Sequence, residues 1–243
     1  MLDQTAHRPW PLPEGPWAMA MQWHDLLFAH WPVPVEALRQ RVPPALDLDT
    51  YEGQAWVGVV PFGMSGVRPR RAPPLPWVSA FPELNVRTYV TAGGKPGVFF
   101  FSLDAGNPLI VEVARTWYRL PYFRASMSLR REAERVHYRS VRTDRRASGA
   151  GFAGRYGPAG DVYRASPGSL ASWLTERYCL YAVDAAGRIY RGEIHHAPWP
   201  LQTAEAELET NTMTQPIGIQ LAGSPLLHFA RRLEVVAWPL REV

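Results

Sequence analysis

Apolar and polar residues alternate along several short stretches of this chain, and a period of two predicts strands. The run Glu83-Leu84-Asn85-Val86-Arg87-Thr88-Tyr89-Val90 shows it best. Its odd positions are polar and its even ones mostly apolar, so Glu83, Asn85, Arg87 and Tyr89 share one face. Strands are predicted over residues 19–29, 54–61, 84–91, 98–103, 133–142, 177–183, 187–196, 202–209 and 226–238. Asp184-Ala185-Ala186-Gly187 predicts a hairpin turn, and the glycine-rich residues 92–97 another turn. Helical patterns are fewer. They cover residues 35–41, residues 108–120 with Asn107 as cap and Pro108 at the first position, and residues 170–176 capped by Ser169. The expected fold class is α+β and β-dominated, one domain over residues 1–243, with both ends strand-like. A large, curved antiparallel sheet or barrel follows from that pattern.

Composition narrows the picture. Hydrophobic residues make up 47% of 243 and charged residues 20%, enough apolar matter to exclude wholesale disorder. The 24 prolines and 19 glycines argue against a bundle of long helices. The net charge is +4, and among 26 basic residues Lys95 is the single lysine. Guanidinium groups suit carboxylates and phosphates, so an anionic small-molecule ligand is expected. The lone cysteine, Cys179, forbids an intramolecular disulfide and fits a reducing cytoplasm. No signal peptide is expected at the start, and no apolar run reaches the roughly 18 residues of a span, so no membrane partner is expected.

Candidate chemistry concentrates on a few residues. On the face of residues 83–89, Glu83 and Arg87 can orient a small carboxylic acid, with Asn85 and Tyr89 beside them. Trp77, Phe81 and residues 99–101 are candidate walls of a dry pocket. In the helix of residues 108–120, Ile110, Val111, Val113, Ala114 and Trp117 supply apolar contacts. Glu112 and Arg115 stand three apart, so they either pair or leave Arg115 free to complete an anion site. His24 and His30 lie six apart on one predicted strand, hence on one face, as candidate acid–base or ligand-binding groups. His195 and His196 are adjacent and point to opposite strand faces, so no metal is expected. No cofactor motif occurs. Residues 130–146 form an arginine-rich stretch with a charged strand face. Without a recognised motif, nucleic acid is not the expected partner.

Several segments resemble the YqjF-like family of uncharacterised proteins: WHDLLFAHWPVP (residues 23–34), AWVGVVPF (55–62), FPELNVRTYV (81–90), GKPGVFFFSLDA (94–105), WLTERYCLY (173–181), HHAPWPLQ (195–202) and PLLHFARRLEVVAWPL (225–240). More distantly, ALRQRVPPALDLD (37–49) and ARTWYRLPYF (114–123) are similar to acetoacetate decarboxylase. That resemblance implies a large curved antiparallel β-structure around an internal pocket, and assembly into a homo-oligomer. It implies a Schiff-base lysine after the proline of the second segment, but Tyr122 and Phe123 follow Pro121 here. Arg115 and Pro121 carry over, and Glu83 falls where a pocket carboxylate is expected. The resulting expectation is a pocket for a small organic acid or acyl compound. Arg87 and Arg115 would hold the anion, with Tyr122 and Glu83 at the reacting or recognising end. The alternative is an enzyme in which Tyr122 or a histidine acts as acid–base group, its phenol activated by Arg115 or Arg119. A nucleic-acid or protein-binding module on residues 130–146 is the third.

Overall fold

The computed structural model describes residues 2–243. In chain order the elements are β1 (Met19–Val33), α1 (Val35–Arg39), β2 (Asp47–Leu48), β3 (Ala55–Pro69), β4 (Phe81–Ala92), β5 (Lys95–Ala105) and α2 (Pro108–Trp117). There follow β6 (Tyr122–Glu132), β7 (Arg135–Arg142), β8 (Gly151–Pro158), α3 (Leu170–Thr175), β9 (Cys179–Val183) and β10 (Ile189–His196). The chain ends with β11 (Leu201–Asn211), β12 (Leu226–Ala237) and β13 (Arg241–Glu242).

Two strands act as junctions. β5 pairs with β4, β6 and β9, and β12 pairs with β1, β10 and β11. Three arms run between them: β4–β3–β1, β6–β7–β8–β11 and β9–β10. The first two arms close a nine-strand mixed barrel with the junction strands. The first and third close a second circuit on the other side of the same wall. Pairing is antiparallel except for β5–β6 and β5–β9, which are parallel. A parallel neighbour needs a crossover, and α2 supplies it between β5 and β6.

The predicted short helices form, each starting at its expected residue. Asn107 accepts hydrogen bonds from the Leu109 and Ile110 amides, and Ser169 from Ser172. α2 stops at Trp117, because Arg119 is left-handed (φ 50°) and Pro121 follows. Each circuit has its own apolar filling. Leu27, Trp31, Val57, Leu84, Tyr138, Phe152, Tyr156 and Phe229 fill the nine-strand barrel. Leu26, Phe28, Phe62, Leu103, Trp199 and Leu233 belong to the second interior.

Candidate functional site

The shared wall of β1, β3 and β4 serves both interiors, one residue to each side in turn. On β4, Phe81, Glu83, Asn85 and Arg87 line a cavity in the second interior, while Leu84 and Val86 enter the barrel core. On β1 the alternation changes phase at Asp25, where φ is 50° and the pairing with β3 slips. Before this bulge Met19, Met21 and Trp23 line the cavity; after it Leu26 does, and Phe28 stacks on His30 with centroids 5.9 Å apart. The bulge separates the two histidines expected on one face. His24 turns to Asp25 (3.3 Å) and sits against Gly63, whereas His30 is fully buried on the other side.

The cavity measures about 170 Å³. A void of about that size accepts a benzene-sized molecule. Its walls are mostly apolar and aromatic, with Trp23, Phe62, Phe81, Phe100 and Trp199 among them. Trp23 and Trp199 stack at 5.8 Å.

Polar groups enter this apolar enclosure in two clusters. The first is Glu83 with Tyr122, whose hydroxyl donates to Glu83 Oε2 at 2.9 Å. Burial pushes the Glu83 carboxyl up to about 8, overcoming the opposing pull of that bond. The carboxyl is therefore mainly neutral at pH 7. Burial, then the neighbouring Glu83, raises the Tyr122 phenol well above its ordinary range. The expected activation of Tyr122 by Arg115 is not what the geometry provides. Arg115 Nη1 donates to the Tyr122 backbone carbonyl at 2.8 Å, and its guanidinium lies over Phe123. Arg115 is outside the cavity lining. Nor does Arg115 pair with Glu112, which binds Arg124 and Arg146 instead.

The second cluster is Arg87, Arg177 and His196. Arg177 Nη1 donates to Asp49 at 2.6 Å, and its guanidinium covers Trp173 and Tyr89. Arg87 Nη2 donates to the Leu174 carbonyl at 3.3 Å and has no carboxylate partner among the described residues. Burial lowers the pKa of His196 to about 4, so the ring is neutral. Its Nδ1–H donates to the Ala197 carbonyl at 2.7 Å, which leaves Nε2 as an acceptor. Tyr89 stands behind Arg87, its hydroxyl within 2.7 Å of His30 Nε2 and donating to Leu174 O at 2.8 Å. Neither Tyr89 nor His30 lines the cavity, and burial holds His30 unprotonated.

Six buried polar atoms of cavity-lining residues have no hydrogen-bond partner among the described residues. They are Asn85 Oδ1, Arg87 Nε, Arg177 Nη2, His196 Nε2 and the indole nitrogens of Trp23 and Trp199. Buried polar groups are nearly always paired, and each orphan costs about 1–3 kcal/mol. Several orphans around one cavity point to a guest with both donors and acceptors.

Of the candidates named from the sequence, Glu83, Asn85, Arg87 and Tyr122 line the cavity; Arg177 and His196 line it too and were not among those candidates. Their one local signal is polarity inside apolar segments, RYC and HHAPWP. Of the expected walls, Phe81 and Phe100 line the cavity, and Trp77 faces solvent. Lys95 binds Glu193 at 2.7 Å, and no lysine lines the cavity. The arginine-rich stretch is largely neutralised: Arg131 by Glu134, Arg135 by Glu205, Arg142 by Asp104 and Arg146 by Asp144. Among the described residues no three His, Cys, Asp or Glu side chains are grouped to hold a metal ion. No helix there is long and apolar enough to cross a membrane.

A family model, DUF2071, described as an uncharacterized conserved protein, matches residues 20–234. The chain belongs to the DUF2071 family. It is 48% identical over 232 residues to the uncharacterized protein YqjF of Bacillus subtilis (strain 168), covering 95% of each chain. Among solved structures it resembles the enduracididine biosynthesis enzyme MppR complexed with pyruvate, with a TM-score of 0.62 and 11% identity. That match covers 97% of this chain and 93% of MppR. Acetoacetate decarboxylase from Legionella pneumophila subsp. pneumophila str. Philadelphia 1 gives a TM-score of 0.59 at 15% identity, covering 100% of this chain and 94% of that one. The DUF2071 chain thus has an acetoacetate decarboxylase-like fold. No lysine lines its cavity, so the cavity walls offer no side-chain amine to form an imine.

Proposed function

We propose that this protein binds a small organic acid or acyl compound with an apolar body. The single observation behind this reading is the ring of unpartnered polar atoms in an otherwise apolar cavity. Arg87, with no carboxylate of its own, receives the ligand's anionic group, and Arg177 supports it. Arg177 takes the part that the sequence suggested for Arg115. The aromatic walls take the apolar body. The Glu83–Tyr122 pair recognises a carbonyl or hydroxyl at the other end, because a neutral Glu83 carboxyl has a proton to donate, while the Tyr122 oxygen, whose own proton goes to Glu83, can accept. Glu83 and Arg87 share one face of β4, so their side chains can engage two polar groups of one small ligand. A fold neighbour, MppR, was solved with pyruvate, which is a small carboxylate. A cytoplasmic setting fits the one buried thiol, Cys179.

Thermal shift against a panel of small carboxylates, keto acids and acyl fragments tests this. A ligand at about 100 times its Kd adds about 2.7 kcal/mol, roughly 5–10 °C in Tm for a chain of this size. Arg87→Ala should abolish the shift while keeping the unliganded Tm within a few degrees. A panel with no stabilising acid, or a shift that survives in Arg87→Ala, overturns the reading.

A second reading rests on Glu83. A carboxyl neutral near pH 7 and bonded to a phenol can protonate a bound carbonyl without any covalent lysine. In that case Glu83→Gln keeps ligand binding and loses turnover. Turnover retained in Glu83→Gln removes this version and leaves the binding role.

A further inference from the structure

We propose that the rim of the cavity is a docking face for the surface of an anionic lipid bilayer. Two segments build this rim. One is the loop between β3 and β4, whose base residues Val67 and Phe81 line the cavity. The other is α2, where Ile110 and Val113 line it and Trp117 continues the same stripe outward. Asn107 ties the two together. Its Oδ1 caps α2, and its Nδ2 donates to the Trp77 carbonyl at 2.9 Å.

Four large apolar side chains on these segments face water: Leu75 is 60% exposed, Trp77 91%, Leu109 59% and Trp117 74%. Scattered apolar residues on a surface need no account, but four on two tied segments at one cavity mouth do. Trp77 also holds a φ of 67°, a left-handed conformation unfavourable for a bulky residue. An indole this exposed gains when it leaves water for an apolar phase.

Charge and backbone decide which phase. Arg70 and Arg71, on the same loop, are exposed and have no carboxylate partner among the described residues. The acid of α2, Glu112, is taken up by Arg124 and Arg146. A second copy meeting this face by twofold pairing would set the arginine-bearing rims against each other. An anionic bilayer meets the same face with opposite charge. The loop carries Pro73, Pro74 and Pro76, which bring no N–H into the headgroup boundary. Tryptophan is the side chain enriched at that boundary. Docking of this kind needs no spanning segment, and it is independent of what the cavity binds.

Flotation of the full chain with vesicles of equal parts phosphatidylglycerol and phosphatidylcholine tests the proposal, with pure phosphatidylcholine vesicles as the control. The protein should float with the anionic vesicles and much less with the neutral ones. Leu75→Ser with Trp77→Ser, and separately Arg70→Glu with Arg71→Glu, should each lower partitioning at least about tenfold. Circular dichroism checks that both variants are folded; these positions are exposed, so folding is expected to survive. No flotation with anionic vesicles overturns the proposal. So does flotation indifferent to both variants, or a dimer in sedimentation that Trp77→Ser dissolves without any lipid binding.

Discussion

Glu83 is held neutral near pH 7 because burial penalises its anion more than the Tyr122 hydrogen bond favours it. The sign of the resulting pH dependence is opposite to that of most carboxyls. In the unfolded chain a glutamate titrates near about 4.3, and in the folded protein Glu83 titrates at about 8. Between these values unfolding releases a proton, so stability falls as pH rises, and above about 8 the loss is complete. Asp104, raised by burial to about 6 despite Arg142, adds a smaller loss in the same direction at lower pH. Glu83→Gln removes only the first contribution. Chemical denaturation at about pH 5 and pH 8 should show the variant gaining roughly 1–3 kcal/mol on the wild type across that interval. Parallel pH profiles would show that Glu83 is not buried neutral. The Asp104–Arg142 pair gives a second residue-level expectation. Three hydrogen-bond contacts run from Arg142 to Asp104, and both side chains are almost fully buried. Asp104→Ala leaves a buried, uncompensated guanidinium and should cost about 3–5 kcal/mol in urea unfolding at pH 7. Glu83, Asn85 and Arg87 were legible in the sequence because their alternation survives intact on β4. His24 and His30 were misread because the Asp25 bulge, which no local residue type announces, inserts one step between them.

Elements repeat that lesson. β1, β3, β4, β5, β7, β9, β10, β11 and β12 were visible as alternating or apolar runs, and the caps of α2 and α3 as Asn107 and Ser169. β6 and β8 were not. β6 begins directly after Pro121 and turns polar residues outward toward its charged end, which reads as loop. β8 contains Gly151, Gly154 and Gly157, a composition that weakens any strand signal. The structure gives the reason for two of them. A Cβ on Gly154 would lie 2.7 Å from the Glu207 carbonyl oxygen, and one on Gly157 would lie 2.5 Å from that of Glu134. Backbone stands in the way in both cases, so neither neighbour can swing aside. Gly154→Ala should destabilise by about 1–3 kcal/mol, read as a Tm lowered by several degrees. An unchanged Tm would mean that β8 and β11 approach less closely than their pairing implies.

For the molecule as a whole, the junction role of β5 and β12 was not legible at all. A strand's pattern reports which faces are buried, not how many neighbours it has, and partner choice depends on segments far apart in the chain. Both interiors close through these two strands. Removing residues 226–243 should therefore abolish cooperative unfolding rather than release one flap, with near- and far-ultraviolet signals lost together. A truncated chain that still melts in one sharp transition would show that the nine-strand barrel closes without β12. The sequence-based expectation of no membrane contact considered spans alone; the exposed tryptophans at the cavity mouth concern the surface of a bilayer, which a span count does not address.

The partition of β1, β3 and β4 between two interiors also sets a rhythm for variation. A saturation scan of β4 should separate phenotypes with a period of two. Substitutions at Glu83, Asn85 and Arg87 should alter ligand response, and those at Leu84 and Val86 abundance. Along β1 the same beat should change phase at Asp25, with Met21 and Trp23 sorting with Leu26 and Phe28, and Leu27 and Ala29 sorting apart. A bulge invisible in the primary sequence would then be heard as one skipped beat in a table of mutant phenotypes.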